Sequence, residues 1–407
     1  MSDVHVPRGG QARVGRIEGD LRVERDSRIE PEGSTPIIVT GTSRFHGDVE
    51  VRGDLETGDF EAEDGTVRVL GALVVLRRLL GEKAVVEVKG RFQGHDVDVD
   101  RSLVLGGEAT ADTFEVGGTL QAYSSLTART IELGGQMIVR GLLTAESIEA
   151  GGSVEVGLVS LETIEAGGKI HLDGGEVRRS IEVGGKFEAT GDLKFGSIEV
   201  GGMAGIGGVG TGGDIEVGGI FHARKDLTFE TLEIGGVGTI DGNGTGKAVK
   251  IGGKFAVRGN LVLSGELEVG GMAETTGFLQ AHRVEIGGKL RVLRGDISGD
   301  AEIGGALESH DGFKAHRIQI NRKGRAYGPL IGDMIEIGRS GQVEDLYGRT
   351  IVLDEKASAR NIYADSVDLR DHVTVKAVQY LSTLVVGRDV TMQSQPQKVA
   401  SLPAFPL

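Results

Sequence analysis

The strongest pattern along the chain is a triplet in which two apolar residues flank a polar one, followed by two glycines. Phe114-Glu115-Val116-Gly117-Gly118 is the first full copy. Ile131, Ile148, Ile164, Ile181, Ile198, Ile215, Leu232, Val249, Leu267, Val284 and Ala301 open the copies that follow. The interval is 17 residues, with excursions to 16 and 18. The phase survives where the glycine pair is lost, in Ile318-Gln319-Ile320, Ile335-Glu336-Ile337, Ile351-Val352-Leu353, Val367-Asp368-Leu369 and Leu384-Val385-Val386. It also runs backwards to Val97-Asp98-Val99. A period of this length held over most of a chain marks a solenoid.

One repeat shows what each turn contains. Ile181-Glu182-Val183, Phe187-Glu188-Ala189 and Leu193-Lys194-Phe195 each alternate apolar and polar with the period of two that marks a strand. Their starts lie 6, 6 and 5 residues apart, and Gly184-Gly185-Lys186, Thr190-Gly191-Asp192 and Gly196-Ser197 separate them. Three strands and three corners predict an all-β parallel β-helix with triangular turns of about 17 residues. Gly, Asn and Asp at the corners are expected to supply positive φ. One turn cannot repay the entropy of ordering its own residues, so adjacent turns must stack.

The same rhythm extends upstream through Phe60, Val51, Val49 and Phe45 to Leu21 and Ile17. The expected organisation is a short tail at 1–12, a solenoid of on the order of 22 turns over 13–390, and a proline-containing tail at 391–407. One segment is irregular. Val67 to Val86 spans 19 residues and contains Leu73-Val74-Val75-Leu76-Arg77-Arg78-Leu79-Leu80. A bulged turn covered by a neighbouring segment, a short helix and an exposed apolar patch all fit it.

Composition sharpens this picture. Glycine supplies 69 of 407 residues, proline only 7, and aromatics 4% with no Trp, so the core must be built from small and medium aliphatic side chains. The absence of Cys excludes disulfides, thiolate catalysis and Cys-ligated zinc. A net charge of −15 argues against a nucleic-acid backbone as partner. No stretch approaches the apolar length of a membrane-spanning helix. Met1 to Pro7 lacks the pattern of a secretory signal, and the expected location is cytoplasmic.

The candidate chemistry is sparse. Gly208-Val209-Gly210-Thr211-Gly212-Gly213 matches a dinucleotide fingerprint in letters only, because it keeps the repeat and no helix follows it. The nine histidines form no cluster, and His282 and His316 fall two turns apart, too far to share a metal. No catalytic residue, cofactor site or metal site is expected. The regular polar feature is a column of outward glutamates that includes Glu165, Glu182 and Glu199. It either keeps a flat sheet from pairing laterally with another copy or offers a stripe to cations or a basic partner. Tyr347 and Tyr363 share an outward position on successive turns and are a candidate partner contact.

A solenoid must expose unpaired backbone groups and core atoms on its first and last turns unless these are capped. Ile17, Leu21 and Val23 are the expected front contact. Leu384, Val386 and Val390 are the expected rear contact, with Phe405 and Leu407 packing over that end.

The segment Phe45-His46-Gly47-Asp48-Val49-Glu50-Val51-Arg52-Gly53-Asp54-Leu55-Glu56 resembles the Gly-Asp-aliphatic corners of bactofilins, polymer-forming cytoskeletal proteins of bacteria with relatives in archaea. Thr190-Gly191-Asp192-Leu193 and Arg258-Gly259-Asn260-Leu261 repeat the corner. The resemblance covers about Arg13 to Val390, much more than the usual bactofilin core, which points to an extended member. It implies a right-handed parallel β-helix that polymerises with itself through its ends, without nucleotide or cofactor. The resulting cytoplasmic filaments would organise cell shape or envelope machinery. The apolar membrane-targeting leader of some members is not recognisable in Met1 to Gln11, so membrane association stays open. The competing class is a non-polymerising β-helix that binds or acts on polysaccharide, or a hexapeptide-type acyltransferase. Such enzymes interrupt the repeat with a loop or groove, and from Val97 onward little loop material is available.

Overall fold

The computed structural model describes residues 3–404, and these form strands, turns and bends without a helix. The strands pair in parallel with partners about one repeat away, giving a β-solenoid of about 23 coils. The chain divides into two compact units, Met1–Gly202 and Met203–Leu407.

In the first unit each coil has three faces. The first stacks Ile131-Glu132-Leu133 on Ile148-Glu149-Ala150. The second stacks Leu120–Ala122 on Met137–Val139, and the third stacks Leu126-Thr127 on Leu143-Thr144. Alternation places Ile131, Ile148, Leu120, Met137, Leu126 and Leu143 in the core. The corner expected at Gly196-Ser197 does not break the strand, because Leu193–Val200 runs through it as one element. Lys169–Val183 covers three faces without interruption. What ends the strands is the glycine pair between the first and second faces.

The front differs from the expected tail at 1–12. Val4–Val6 pairs with Leu21–Val23, and Gln11–Val14 with Ser27–Pro31. The first coil therefore opens at Val4. Pro7-Arg8-Gly9-Gly10 is simply its corner, with Gly9 at φ 71°. Ile17 belongs to that first coil, whereas Leu21 and Val23 lie in the second, and all three are buried. Leu21 and Val23 have paired coils on both sides, whereas Ile17 stands on the first coil and pairs only with Val39 among the described residues.

The apolar run at Leu73–Leu80 is neither a bulge nor a helix. Leu73–Val75 and Arg78–Glu82 are ordinary third-face and first-face strands. Leu73, Val75 and Leu79 point inward while Leu76 is exposed at the corner. The two extra residues of this coil are absorbed at corners, one at Leu76-Arg77 and one beside Lys83, which has φ 49°.

The second unit fills its core by alternating large and small residues. On its second face Gly238 lies between Phe221 and Phe255, and on its third face Gly295 lies under Phe313. At the rear, Thr391-Met392 pairs with Thr374-Val375, and Gln397-Lys398 with Gln379-Tyr380. The segment 391–398 thus continues the coil, which corrects the tail expected at 391–407. Phe405 and Leu407 lie outside the described residues.

Two corner chemistries occur between the first and second faces. At Asp26, Gly47, Asp64 and Lys83, and again at Lys323, Ser340, Lys356, His372 and Asp389, a left-handed residue makes the bend, with φ between 49° and 75°. The glycine-pair corners are different. Neither Gly184 nor Gly185 is left-handed, so positive φ is not their purpose. A Cβ on Gly185 would lie 2.4 Å from the carbonyl oxygen of Gly168 in the coil before. These corners stack backbone directly on backbone, and glycine is required by close approach.

Candidate functional site

The acidic column is built by the first face. In the first unit Glu115, Glu132, Glu149, Glu165, Glu182 and Glu199 occupy the centre of successive strands in unbroken register. All are exposed. None forms a hydrogen bond or ion pair among the described residues. Beside them the glycine corners carry no side chains. The result is a groove of about 590 Å³ lined by Asp98, Asp100, Glu115, Glu132, Glu149 and Glu165 together with Gly117, Gly134, Gly151 and Gly167. Carboxylates roughly 5 Å apart repel mildly, and only full hydration makes the column tolerable.

The earlier coils handle charge differently. Arg44 donates to Asp20 at 2.9 Å and to Glu61 at 2.7 Å, and Arg68 donates to Glu87 at 3.0 Å. The Thr42 amide and Arg44 hold the Asp20 carboxyl below the usual range, and Arg77 does the same for Asp59. Opposite charges stitch those coils together, whereas the column from Glu115 to Glu199 is left uncompensated.

The second unit carries its own column, with Glu216 and Glu233 followed by Lys250 and then by Glu268 and Glu285. Lys250 reaches Glu268 at 3.9 Å. Across the glycine corner stands a row that the sequence reading did not single out. Met203, Ile220 and Val237 open successive second-face strands and are all exposed. The available signal was the first position after each glycine pair, which is Thr119, Gln136, Ser153, Lys169 and Lys186 in the first unit.

Tyr347 and Tyr363 stack with ring centroids 4.8 Å apart and an interplanar angle of 16°. The Arg360 Nε donates to Asp345 Oδ1 at 2.9 Å, and the Asn361 amide donates to the same oxygen at 2.7 Å. Arg360 is the main cause that holds the Asp345 carboxyl below its ordinary range. Burial pushes the Tyr347 phenol up. Tyr380 does not extend the pair: Gln379 follows Tyr363 in the column, and Tyr380 lies against Ala364.

A groove of about 570 Å³ runs along the neighbouring corner, floored by Ile297, Ala315, Ile331, Gly332 and Gly348. Leu402, three residues beyond the last amide that bonds the coil below, Val399 to the Tyr380 carbonyl, also lines it. On its rim His316 is 2.9 Å from Asp333.

The expected rear contact is split. Leu384 and Val390 are half-buried, and Val386 is exposed. Among the described residues no group of three or more His, Asp or Glu side chains is arranged to hold a metal ion. No helix among them is long and apolar enough to cross a membrane. No family model, curated protein or solved structure matches this chain.

Proposed function

We propose that this chain is a structural protein that assembles with itself end to end, without nucleotide, into filaments that scaffold cell shape or envelope machinery. The observation that carries this reading is the state of the last first-face strand. Thr383–Val386 pairs with Ser366–Leu369, and Val386 continues the inward column that Leu353 and Leu369 fill while fully buried. Val386 itself is 47% exposed, and Val385 beside it is 52% exposed. An uncovered core position beside an open strand edge is an unfavourable way to end a sheet. At the front, among the described residues, the first coil pairs on one side only, through Val4–Val6, Gln11–Val14 and Arg16–Ile17. Stacking the last coil of one copy on the first coil of the next would satisfy both edges with the same hydrogen bonds that join coils within the chain.

The Gly-Asp-aliphatic corners and their resemblance to bactofilins support the same reading. It requires no catalytic residue and no cofactor. Electron microscopy of the purified full chain without nucleotide tests it, with filaments as the expected result. The double substitution Leu384→Arg with Val386→Glu should leave short oligomers or monomers that remain β-rich by circular dichroism. A parent that stays monomeric at high concentration, or a variant that polymerises normally, overturns the end-contact reading.

A further inference from the structure

An aligned apolar row stands on the surface of the second unit. Met203, Ile220 and Val237 are stacked in register and are 47%, 49% and 41% exposed. Lys254 follows in the same column, then Met272, which is also exposed. At the strand spacing of about 4.8 Å, the row covers roughly 10 Å from Met203 to Val237 and roughly 19 Å to Met272. Isolated surface hydrophobics need no explanation, but an aligned row does. In the first unit every position that follows a glycine pair in this column, from Thr119 to Lys186, is polar, so the fold does not demand apolar residues there.

Two features say what would cover this row. Next to it lie Gly218-Gly219, Gly235-Gly236 and Gly252-Gly253, whose tight stacking leaves a strip without side chains, so a partner can approach the backbone closely. A Cβ on Gly253 would stand 2.2 Å from the Gly236 carbonyl oxygen, which keeps the strip bare. Beyond the strip stand Glu216 and Glu233, exposed and without a hydrogen bond or ion pair among the described residues. The surface therefore has an apolar ridge, a flat floor and an acidic ridge, all parallel to the stacking direction.

We infer that this strip is a docking surface for a basic amphipathic α-helix of a partner protein, lying along the stacking direction. The spacing suits a helix. One helical turn advances about 5.4 Å, against about 4.8 Å per coil. Apolar residues at i, i+3 or i+4, and i+7 can thus meet Met203, Ile220 and Val237 with a slip of only about 0.6 Å per turn. Lys or Arg on the helix flank across the glycine strip would face Glu216, which stacks on Glu233, and Glu233, whose other neighbour in the column is Lys250. A second copy in the same role would bring acidic ridge against acidic ridge, and an anionic membrane would be repelled. Charge complementarity therefore selects a cationic protein segment. This inference does not depend on end-to-end assembly.

The test uses the full chain and fluorescently labelled model helices of about 18 residues. One has a Leu face flanked by Lys, one has the same face flanked by Glu, and one is a scrambled Lys peptide. Anisotropy should show the Lys-flanked helix binding at least tenfold more tightly than either other peptide, with affinity falling as salt rises. Ile220→Lys with Val237→Glu should weaken binding at least tenfold while the melting temperature stays within a few degrees. Ser153→Lys, at the matching column of the first unit, should change nothing. Equal binding of the Glu-flanked helix, no binding at all, or full binding by the double variant overturns the proposal. So does sedimentation showing that the double variant only abolishes self-association, which would make the strip a contact between copies.

Discussion

The ring of Phe313 occupies the space that a side chain on Gly295 would need: a Cβ there would lie 2.2 Å from the phenylalanine Cδ2. Phe313 is fully buried, so the ring has nowhere to retreat. Gly295→Val should destabilise the protein by about 1–3 kcal/mol, the usual cost of overpacking, seen as a lower midpoint in thermal or urea unfolding. Gly205 provides the contrast. A Cβ there would meet only the His222 carbonyl oxygen, at 3.9 Å, so Gly205→Ala should be neutral or stabilise by about 0.4–1 kcal/mol through the unfolded chain. Equal effects at the two sites would contradict the large-small account of the core.

The two corner chemistries predict opposite responses. Gly185→Ala places a Cβ 2.4 Å from the Gly168 carbonyl oxygen, and stacked backbone cannot give way. A loss of about 1–3 kcal/mol is expected. Lys323 has φ 61°, a conformation unfavourable for a residue with a Cβ. Lys323→Gly should be neutral or stabilise by up to about 1 kcal/mol, because relief of strain outweighs the added chain entropy. Chemical denaturation of both variants reads the signs directly.

Replacing Glu165, Glu182 and Glu199 with Gln removes three members of the uncompensated column. Like charges opposite each other cost about 0.2–1 kcal/mol per pair. The triple variant should therefore melt higher than the parent at low ionic strength, with the gap closing as salt screens the column. Light scattering should also rise as flat faces pair laterally. A variant that scatters like the parent across the salt series removes the idea that the column keeps copies apart. A calcium-dependent rise in parent melting, absent in the variant, would identify the column as a cation stripe instead.

Asp345 gives the region around Tyr347 a pH dependence of defined sign. Its folded carboxyl lies below its ordinary value because Arg360 donates to it. Its contribution is therefore complete above the unfolded value of about 3.9 and is lost as pH falls through the folded value. With no Trp and five tyrosines in the chain, the near-ultraviolet difference between the parent and Tyr347→Phe isolates the contribution of the stacked Tyr347–Tyr363 pair. That contribution should fade only as the pH falls below about 3.9 and through the lower folded value, and Asp345→Asn should weaken it at neutral pH and remove its acid dependence.

The sequence by itself determined the coil: its length, its three faces and which side chains face inward. Period-two alternation in Ile181-Glu182-Val183 or Phe187-Glu188-Ala189 leaves only one way to bury an apolar face, and a 17-residue repeat forces neighbours to supply the cover. The glutamate column and the Tyr347–Tyr363 stack followed from register alone. The tertiary structure decided what depends on distances between coils. Gly185 looks like a turn glycine until its distance to Gly168 shows that contact with the previous coil excludes a side chain. Val4–Val6 looked like a tail because its pairing partner, Leu21–Val23, lies one coil away in the chain. Its closure depends on the bend at Gly9. Leu73–Leu80 could be read three ways because an apolar run does not say where a corner falls, and the ladder resolved it by placing Leu76 at one. Met203, Ile220 and Val237 become a surface only once stacking brings residues 17 apart to within one strand spacing. Local alternation is encoded within a few residues, whereas which chemically ordinary residues end up side by side is set by the packing of one coil on the next.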